Sequence, residues 1–219
     1  TDGDTTTLTC SSVSSPLVGA TYEWYADGIA VSGASSSTYT TPAVSMSDDG
    51  KVYTCKVVFN TVTSDISSTS VTLTVVPQMP SITSSPSGDV TDASSFTLTC
   101  ASASTGLSTE TYVWNIGGTD QSPQSSNTLT QTADINTVPA YSCKVSGDGG
   151  TDYSAVSTTF TPSVKAQTPT VSGTSSLTDG DTTTLTCSSV SSPLVGATYE
   201  WYADGIAVSG ASSSTYTTP

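Results

Sequence analysis

Five cysteines of two alternating types mark regular units along this chain. Cysteines of the first type each end a Leu-Thr-Cys run and are followed 14 residues later by a tryptophan; these pairs are Cys10 and Trp24, Cys100 and Trp114, and Cys187 and Trp201. Cysteines of the second type each follow a tyrosine by two residues and precede Lys-Val; they are Cys55 after Tyr53 and Cys143 after Tyr141. First-type cysteines are 90 and then 87 residues apart. The pattern predicts structural units of about 90 residues.

An exact internal copy shows how these units are arranged. Residues 1–42 and 178–219 are identical, at an offset of 177 residues. Identity over 42 residues indicates a long array that is still homogenised or recently copied, and we expect this chain to be a window of it. The repeat predicts a domain over 1–77 that lacks its first strand, a second domain over 78–166, and a partial copy of the first over 167–219.

Short runs of alternating apolar and polar residues indicate β-strands. Leu8 and Cys10 alternate with threonines, and Tyr22 and Trp24 fall on one face with Glu23 on the other. Threonine, valine and serine, which are abundant here, suit pleated structure, and no segment has helical periodicity beyond one turn. The sequence therefore predicts an all-β fold.

The order Cys, Trp and Tyr-x-Cys on alternating strands resembles the immunoglobulin superfamily, with the compact spacing of its intermediate or constant-like sets. The segment 49–55 resembles the approach to the second cysteine of those domains, although Thr137 stands in the second domain where the first has Asp49. The resemblance implies tandem β-sandwiches, each with one disulfide between its sheets. It implies the pairs Cys10–Cys55 and Cys100–Cys143, a partner for Cys187 beyond residue 219, and a core containing Trp24, Trp114, Trp201, Tyr53 and Tyr141.

Those disulfides would compensate for a small core, since only 34% of residues are hydrophobic. Closing a loop of about 45 residues stabilises a domain by roughly 4 kcal/mol on the chain-entropy model. Disulfides persist in oxidising compartments, so we expect an extracellular protein, secreted or on a cell surface. A free, reactive thiol at Cys187 is the alternative to a partner outside the window. No signal peptide or membrane-spanning run is present in the sequence.

The charge and the missing residue types exclude several functions. With 18 acidic residues, 4 lysines and a net charge of −14, the chain cannot neutralise phosphates, which argues against nucleic acid as a partner. Without histidine, the usual general base and metal-binding imidazole are missing. No catalytic constellation is found, so neither an enzyme nor a cofactor is predicted.

A few residues remain as candidates for binding. The weak calcium candidates are Asp2, Asp4, Asp179 and Asp181, whose Asp-Gly-Asp pattern is equally typical of a tight turn before a strand. The pair Asp48–Asp49 has the same two interpretations. Three aromatic residues, Tyr25, Tyr39 and Phe59, could form a contact surface, against the alternative of isolated exposed aromatics.

Serine and threonine supply 85 of the 219 residues, many near proline at 84–86 and 161–163 or clustered at 35–37. This composition suits O-glycosylation, whereas none of the four asparagines begins an N-glycosylation sequon. Short connections with proline at 75–80 and 165–169 favour a semi-rigid rod. The sequence thus predicts a structural extracellular protein that self-associates into filaments or forms a stalk. The alternative is an adhesin or cell-surface module that recognises protein or carbohydrate.

Overall fold

The computed structural model describes residues 1–11, 19–59, 62–63, 69–188 and 196–219. The first strands are β1 (Thr7–Thr9), β2 (Thr21–Ala26), β3 (Ile29–Ala30), β4 (Thr38–Thr40), β5 (Val52–Phe59), β6 (Val62–Thr63) and β7 (Val71–Thr72), with a 3-10 helix over Met46–Asp48. The middle strands are β8 (Ser81–Ser85), β9 (Val90–Thr91), β10 (Ser95–Ala101), β11 (Thr111–Ile116), β12 (Thr119–Asp120), β13 (Thr128–Thr132), β14 (Tyr141–Ser146) and β15 (Val164–Lys165). The last strands are β16 (Thr170–Ser172), β17 (Thr184–Ser188), β18 (Tyr202–Ala203), β19 (Ile206–Ala207) and β20 (Thr215–Thr217).

The chain divides into two compact units according to which residues lie close together in space. The first unit comprises Thr1–Ile82, Thr99–Asn127 and Tyr141–Thr159, and the second comprises Thr83–Leu98, Thr128–Ala140 and Phe160–Pro219. The domain limits expected from the repeat (1–77, 78–166 and 167–219) follow sequence copies rather than contacts, and they stay a prediction.

The first unit contains three sheets. Strand β1 pairs with β4; a larger sheet has the order β3-β2-β5-β6 with β7 also beside β5; and a third has the order β12-β11-β14. The hairpin from β2 to β3 turns at Asp27 and Gly28, whose φ angles of 49° and 79° belong to the left-handed region that such tight turns require. In the antiparallel registers Trp24 lies opposite Cys55, and Trp114 lies opposite Cys143.

Residues 83–85, 95–98 and 128–132 of the second unit belong to a sheet of order β13-β10-β8, and this unit also contains the short parallel pair β15 and β9. It also holds a sheet of order β16-β17-β20 and the pair β18 and β19. Along β10 the side chains of Phe96 and Leu98 are buried, whereas Thr97 between them is half-buried. This is the period-2 alternation that one covered sheet face requires.

Each disulfide joins strands of different sheets. Cys10, which follows β1, is bonded to Cys55 in β5, with their Cα atoms 6.2 Å apart. Cys100 in β10 is bonded to Cys143 in β14, with a Cα separation of 6.3 Å. The predicted fold class, all-β with bridged β-sandwiches, is confirmed.

The identical segments 1–42 and 178–219 share several local elements, although residues 198–201 lie outside the strands whereas their equivalents 21–24 belong to β2. Strands β17 and β20 repeat the register of β1 and β4, with Leu185 opposite Tyr216 as Leu8 is opposite Tyr39. The hairpin turn recurs at Asp204, whose φ is again 49°. Local sequence is therefore sufficient to specify these elements.

Candidate functional site

The centre of the first unit is a disulfide packed beside a buried tryptophan. Leu8, Cys10, Trp24 and Tyr53 form a buried cluster, and the Trp24 side chain is only 3% exposed. The indole N–H of Trp24 donates a hydrogen bond of 2.9 Å to the backbone carbonyl of Ser36. The same bond recurs in the identical segment 178–219, where the Trp201 indole donates to the backbone carbonyl of Ser213 at 2.8 Å. These residues form a core that contributes stability.

The core beside the Cys100–Cys143 disulfide lacks one hydrogen bond that the first core has, the one from the tryptophan indole. Trp114 is 1% exposed and lies opposite Cys143 in the strand register, and Tyr141 and Cys143 are buried as well. Its indole N–H has no hydrogen-bond partner in the part of the chain that the structure describes. The carbonyl of Ser126, which is the positional equivalent of Ser36, instead accepts the side-chain amide of Gln124 at 3.0 Å. An unsatisfied buried donor costs roughly 1–3 kcal/mol, so this core is less favourable than the first.

Cys187 lies in β17 and is half-buried, and it forms no disulfide within the chain. Its equivalents Cys10 and Cys100 are both bonded. A partner for Cys187 outside the window stays a prediction.

The Asp-Gly-Asp segments form turns. The backbone N–H of Asp4 donates to the carbonyl of Thr1 at 3.0 Å, and that of Asp181 donates to Thr178 at 2.9 Å. In the second copy a carboxylate oxygen of Asp181 accepts the N–H of Thr178 as well, at 3.0 Å. These contacts form the turn in each copy; the calcium candidates Asp2, Asp4, Asp179 and Asp181 stay a prediction, and among the described residues none of the four belongs to a group of carboxylates close enough to share a metal ion.

The neighbouring acids Asp48 and Asp49 face different partners. Asp48 caps the 3-10 helix by accepting the backbone N–H of Ser45 at 2.9 Å, and it forms an ion pair with Lys51. The hydrogen bond from Lys51 is the main reason why the pKa of the Asp48 carboxyl is lowered. A carboxylate oxygen of Asp49 accepts the N–H of Val75, which is 1% exposed, at 2.8 Å.

We expect Asp49→Ala to lower the free energy of unfolding by about 1–3 kcal/mol, because the buried N–H of Val75 would lose its acceptor. Chemical denaturation followed by tryptophan fluorescence measures this change. Asp134→Ala is the matched control, since Asp134 accepts the exposed N–H of Asn136 at 2.9 Å and water can replace it. An equal loss of unfolding free energy in the two variants would contradict the assignment of Asp49 as the acceptor that stabilises the buried N–H of Val75.

Asp49 also belongs to the one group of carboxylates, in the described part of the chain, that lie close enough to bind a metal ion. Oxygens of Asp49, Asp148 and Asp152 all lie within 4.8 Å of one another, inside the first unit. The Asp148 carboxylate already accepts the Ser146 hydroxyl and two backbone N–H groups, and the Ser146 bond is the main reason why the pKa of Asp148 is lowered. Since Asp49 and Asp148 are far apart in sequence, their spacing gave no signal of this group. Hydrogen bonds within the protein hold the carboxylates of Asp49 and Asp148 in this cluster.

The three aromatic residues considered as a contact surface are not brought together on one face. Tyr39 packs towards the core, with its ring centroid 5.8 Å from that of Trp24 and 6.0 Å from that of Tyr53. Tyr25 is half-buried, and its hydroxyl donates to Glu23 at 2.8 Å. The Lys56 ammonium lies 5.2 Å from the centroid of the Tyr25 ring. Phe59 ends β5 opposite Val62. The outer sheet face therefore presents Glu23, Tyr25 and Lys56 rather than the predicted trio.

Comparisons with known proteins agree with this architecture. Residues 1–75 match the family model of the immunoglobulin domain. Among solved structures, the chain is similar to the CD2-binding domain of CD58, at 11% identity and a TM-score of 0.42, over 76% of this chain and 95% of that one. It is also similar to immunoglobulin domains 1–4 of Sidekick-1, at 17% identity and a TM-score of 0.32, over 100% of this chain and 62% of that one. A comparison with curated proteins finds no match.

In the described residues no helix is long and apolar enough to cross a membrane. Disulfide-bonded immunoglobulin domains are typical of extracellular and cell-surface proteins, because such bonds persist in oxidising surroundings. The match over residues 1–75 and the paired cysteines beside buried tryptophans confirm the resemblance seen in the sequence. Residues 1–75 belong to the immunoglobulin domain family.

Proposed function

We propose that this chain is part of a structural extracellular protein, a tandem array of immunoglobulin-like domains that forms a filament or a stalk. The observation that carries this proposal is that the identical segments 1–42 and 178–219 repeat the same strand register, hairpin turn and indole hydrogen bond. In both, the tryptophan indole bonds to a serine carbonyl 12 residues later, at 2.9 and 2.8 Å. Units that fold alike from identical sequence can be added without limit and present the same surfaces each time.

The negative charge of the array would keep neighbouring filaments apart by electrostatic repulsion. One period of 177 residues carries 14 acidic residues and 4 lysines, which gives a net charge of −10. Two lysines are already in ion pairs, Lys51 with Asp48 and Lys144 with Asp120. Parallel arrays would repel each other at low salt, and the repulsion would be screened beyond about 8 Å at physiological salt. Any packing between copies would use the same patches in every period.

O-glycosylation is the second part of the proposal, and the exposure of the predicted sites supports it. Ser35, Ser36, Ser85, Thr161 and Ser163 are exposed. Ser84 is half-buried, and its hydroxyl donates to the carbonyl of Pro86 at 2.9 Å. We therefore favour the five exposed residues as acceptors. The intact mass of the native protein, measured by mass spectrometry, should exceed the mass of the polypeptide by whole sugar units. A measured mass equal to that of the bare polypeptide would exclude the modification.

An exposed apolar side chain favours adhesion as the second candidate function. Ile29 at the tip of the β2–β3 hairpin is 74% exposed, and its copy Ile206 has the same exposure. An exposed isoleucine on a tight turn can contact a partner protein, and repetition would multiply that contact. On this alternative, purified material would stay as separate particles that bind a defined ligand, and Ile29→Ser with Ile206→Ser would abolish binding.

Electron microscopy of the native protein separates the two functions. A structural array should form regular fibres with an axial repeat of two domains, roughly 70–80 Å if strands of ~10 residues rise 3.3 Å each and domains lie end to end. Reducing the disulfides should lengthen or dissolve the fibres, whereas the Ile29→Ser and Ile206→Ser variant should still form them. Monodisperse particles without fibres would contradict the structural function.

A further inference from the structure

The connection after β7 is packed into the first unit instead of crossing solvent. Of its residues, Val75, Pro77 and Pro80 are buried, and Gln78 is half-buried. Met79 is 53% exposed. This alternating burial orders the segment between β7 and β8, and proline adds a fixed φ at two positions. Its path is therefore defined by contacts as well as by proline.

Gln78 makes two hydrogen bonds that hold this connection in place. Its side-chain amide donates to the carbonyl of Asp2 at 3.1 Å, and its backbone N–H donates to the hydroxyl of Ser104 at 2.8 Å. Gly3 permits the close approach, since a Cβ atom there would lie 3.2 Å from the amide nitrogen of Gln78. All of these residues lie in the first unit. One residue thus bonds to parts of the chain on both sides of it in sequence.

The same arrangement is present inside the second unit. The side-chain amide of Gln167 donates to the carbonyl of Asp92 at 2.9 Å. The N–H of Asp92 donates to Lys165 at 2.8 Å, as that of Asp2 donates to Val76 at 2.9 Å. The connections 75–80 and 164–169 otherwise read Val-Val-Pro-Gln-Met-Pro and Val-Lys-Ala-Gln-Thr-Pro. Glutamine is retained while the residues on either side of it differ.

We propose that Gln78 and Gln167 are positioning residues that fasten the connecting segments to the domain each segment leaves. The donor is the side-chain amide and the acceptor is the carbonyl before a turn residue of positive φ, Gly3 or Ala93. At the first connection the bond from the Gln78 backbone to Ser104 adds a second attachment. For a filament or stalk this fixes the direction in which the chain continues; that consequence rests on the proposed function, whereas the attachment does not.

Amide hydrogen exchange in the full chain tests the attachment. Gln78→Glu keeps the shape of the side chain and removes its amide donor, and Gln78→Ala removes both. We expect both variants to exchange the Asp2 and Gly3 amides about two- to tenfold faster, because a hydrogen bond contributes about 0.5–1.5 kcal/mol to the local structure. Gln121→Ala is the matched control, since the exposed Gln121 amide bonds only to Thr119, two residues away.

Thermal unfolding of each variant shows that it is folded, and Ser104→Ala tests the second attachment through the exchange of the Gln78 amide. Unchanged exchange of the Asp2 and Gly3 amides in both Gln78 variants would overturn the proposal, whether or not the protein forms fibres. Faster exchange in both variants, with the control unchanged, supports it even if electron microscopy finds no fibres. The failure of the filament proposal is thereby distinguished from the failure of this one.

Discussion

Removing the Cys100–Cys143 disulfide should lower the free energy of unfolding of its domain by about 4 kcal/mol. The bond closes a loop of 43 residues, and on the chain-entropy model its loss releases that constraint from the unfolded chain. Both sulfurs are buried, so the variant Cys100→Ala/Cys143→Ala exposes no polar group. Chemical denaturation at neutral pH, in a Cys187→Ala background that prevents thiol exchange, measures the loss.

Cys187→Ala alone is the control for this measurement and should leave both bridged domains unchanged. The variant Cys10→Ala/Cys55→Ala should cost a similar amount, since its loop spans 45 residues. A denaturation midpoint that does not move after removal of either bridge would show that the disulfides do not stabilise the sandwiches.

Trp24→Ala should destabilise the first domain by about 3–5 kcal/mol, because it leaves a large void beside the disulfide. Trp24→Phe keeps most of the ring volume but loses the hydrogen bond to Ser36. In the second domain, Trp114→Phe removes an N–H that has no partner in the described structure. We therefore expect Trp24→Phe to cost about 1 kcal/mol more than Trp114→Phe.

Urea denaturation of the four tryptophan variants, Trp24→Ala, Trp24→Phe, Trp114→Ala and Trp114→Phe, gives these differences. The two alanine variants serve as controls for volume, since both indoles are almost fully buried. If Trp114→Phe is the more damaging of the two phenylalanine variants, the Trp114 N–H must have a partner, such as a buried water molecule.

Local pattern and family resemblance predicted the elements that depend on few residues. Alternation along 7–10 and 21–26 indicated β1, which Cys10 follows, and β2, which carries Trp24, and Asp27-Gly28 indicated the turn between β2 and β3. These features need only neighbouring residues, which explains why the identical copies at 184–188 and 204–205 repeat them.

The contacts that the sequence did not indicate join residues far apart in the chain. Asp49 was interpreted as a loop acid, yet it accepts the N–H of Val75 in the connection, 26 residues away. Gln78 had no motif, because its acceptor Asp2 is 76 residues away. Tyr39 was grouped with exposed aromatics, but its register opposite Leu8 turns it towards Trp24. Strand register decided the case of Tyr39, and the other two contacts depend on how loops and connections pack, which short-range patterns do not encode.

The buried connection has a consequence for how long such a protein would survive outside the cell. Proteases cut extended segments that can enter their active-site clefts, and exposed loops are usually cut first. With Val75, Pro77 and Pro80 buried, the segment 75–80 offers no such substrate unless the first unit opens locally. Trypsin-like enzymes would find only four lysines and no arginine in the whole chain. Resistance to digestion would thus follow from the same packing that holds the connection in place.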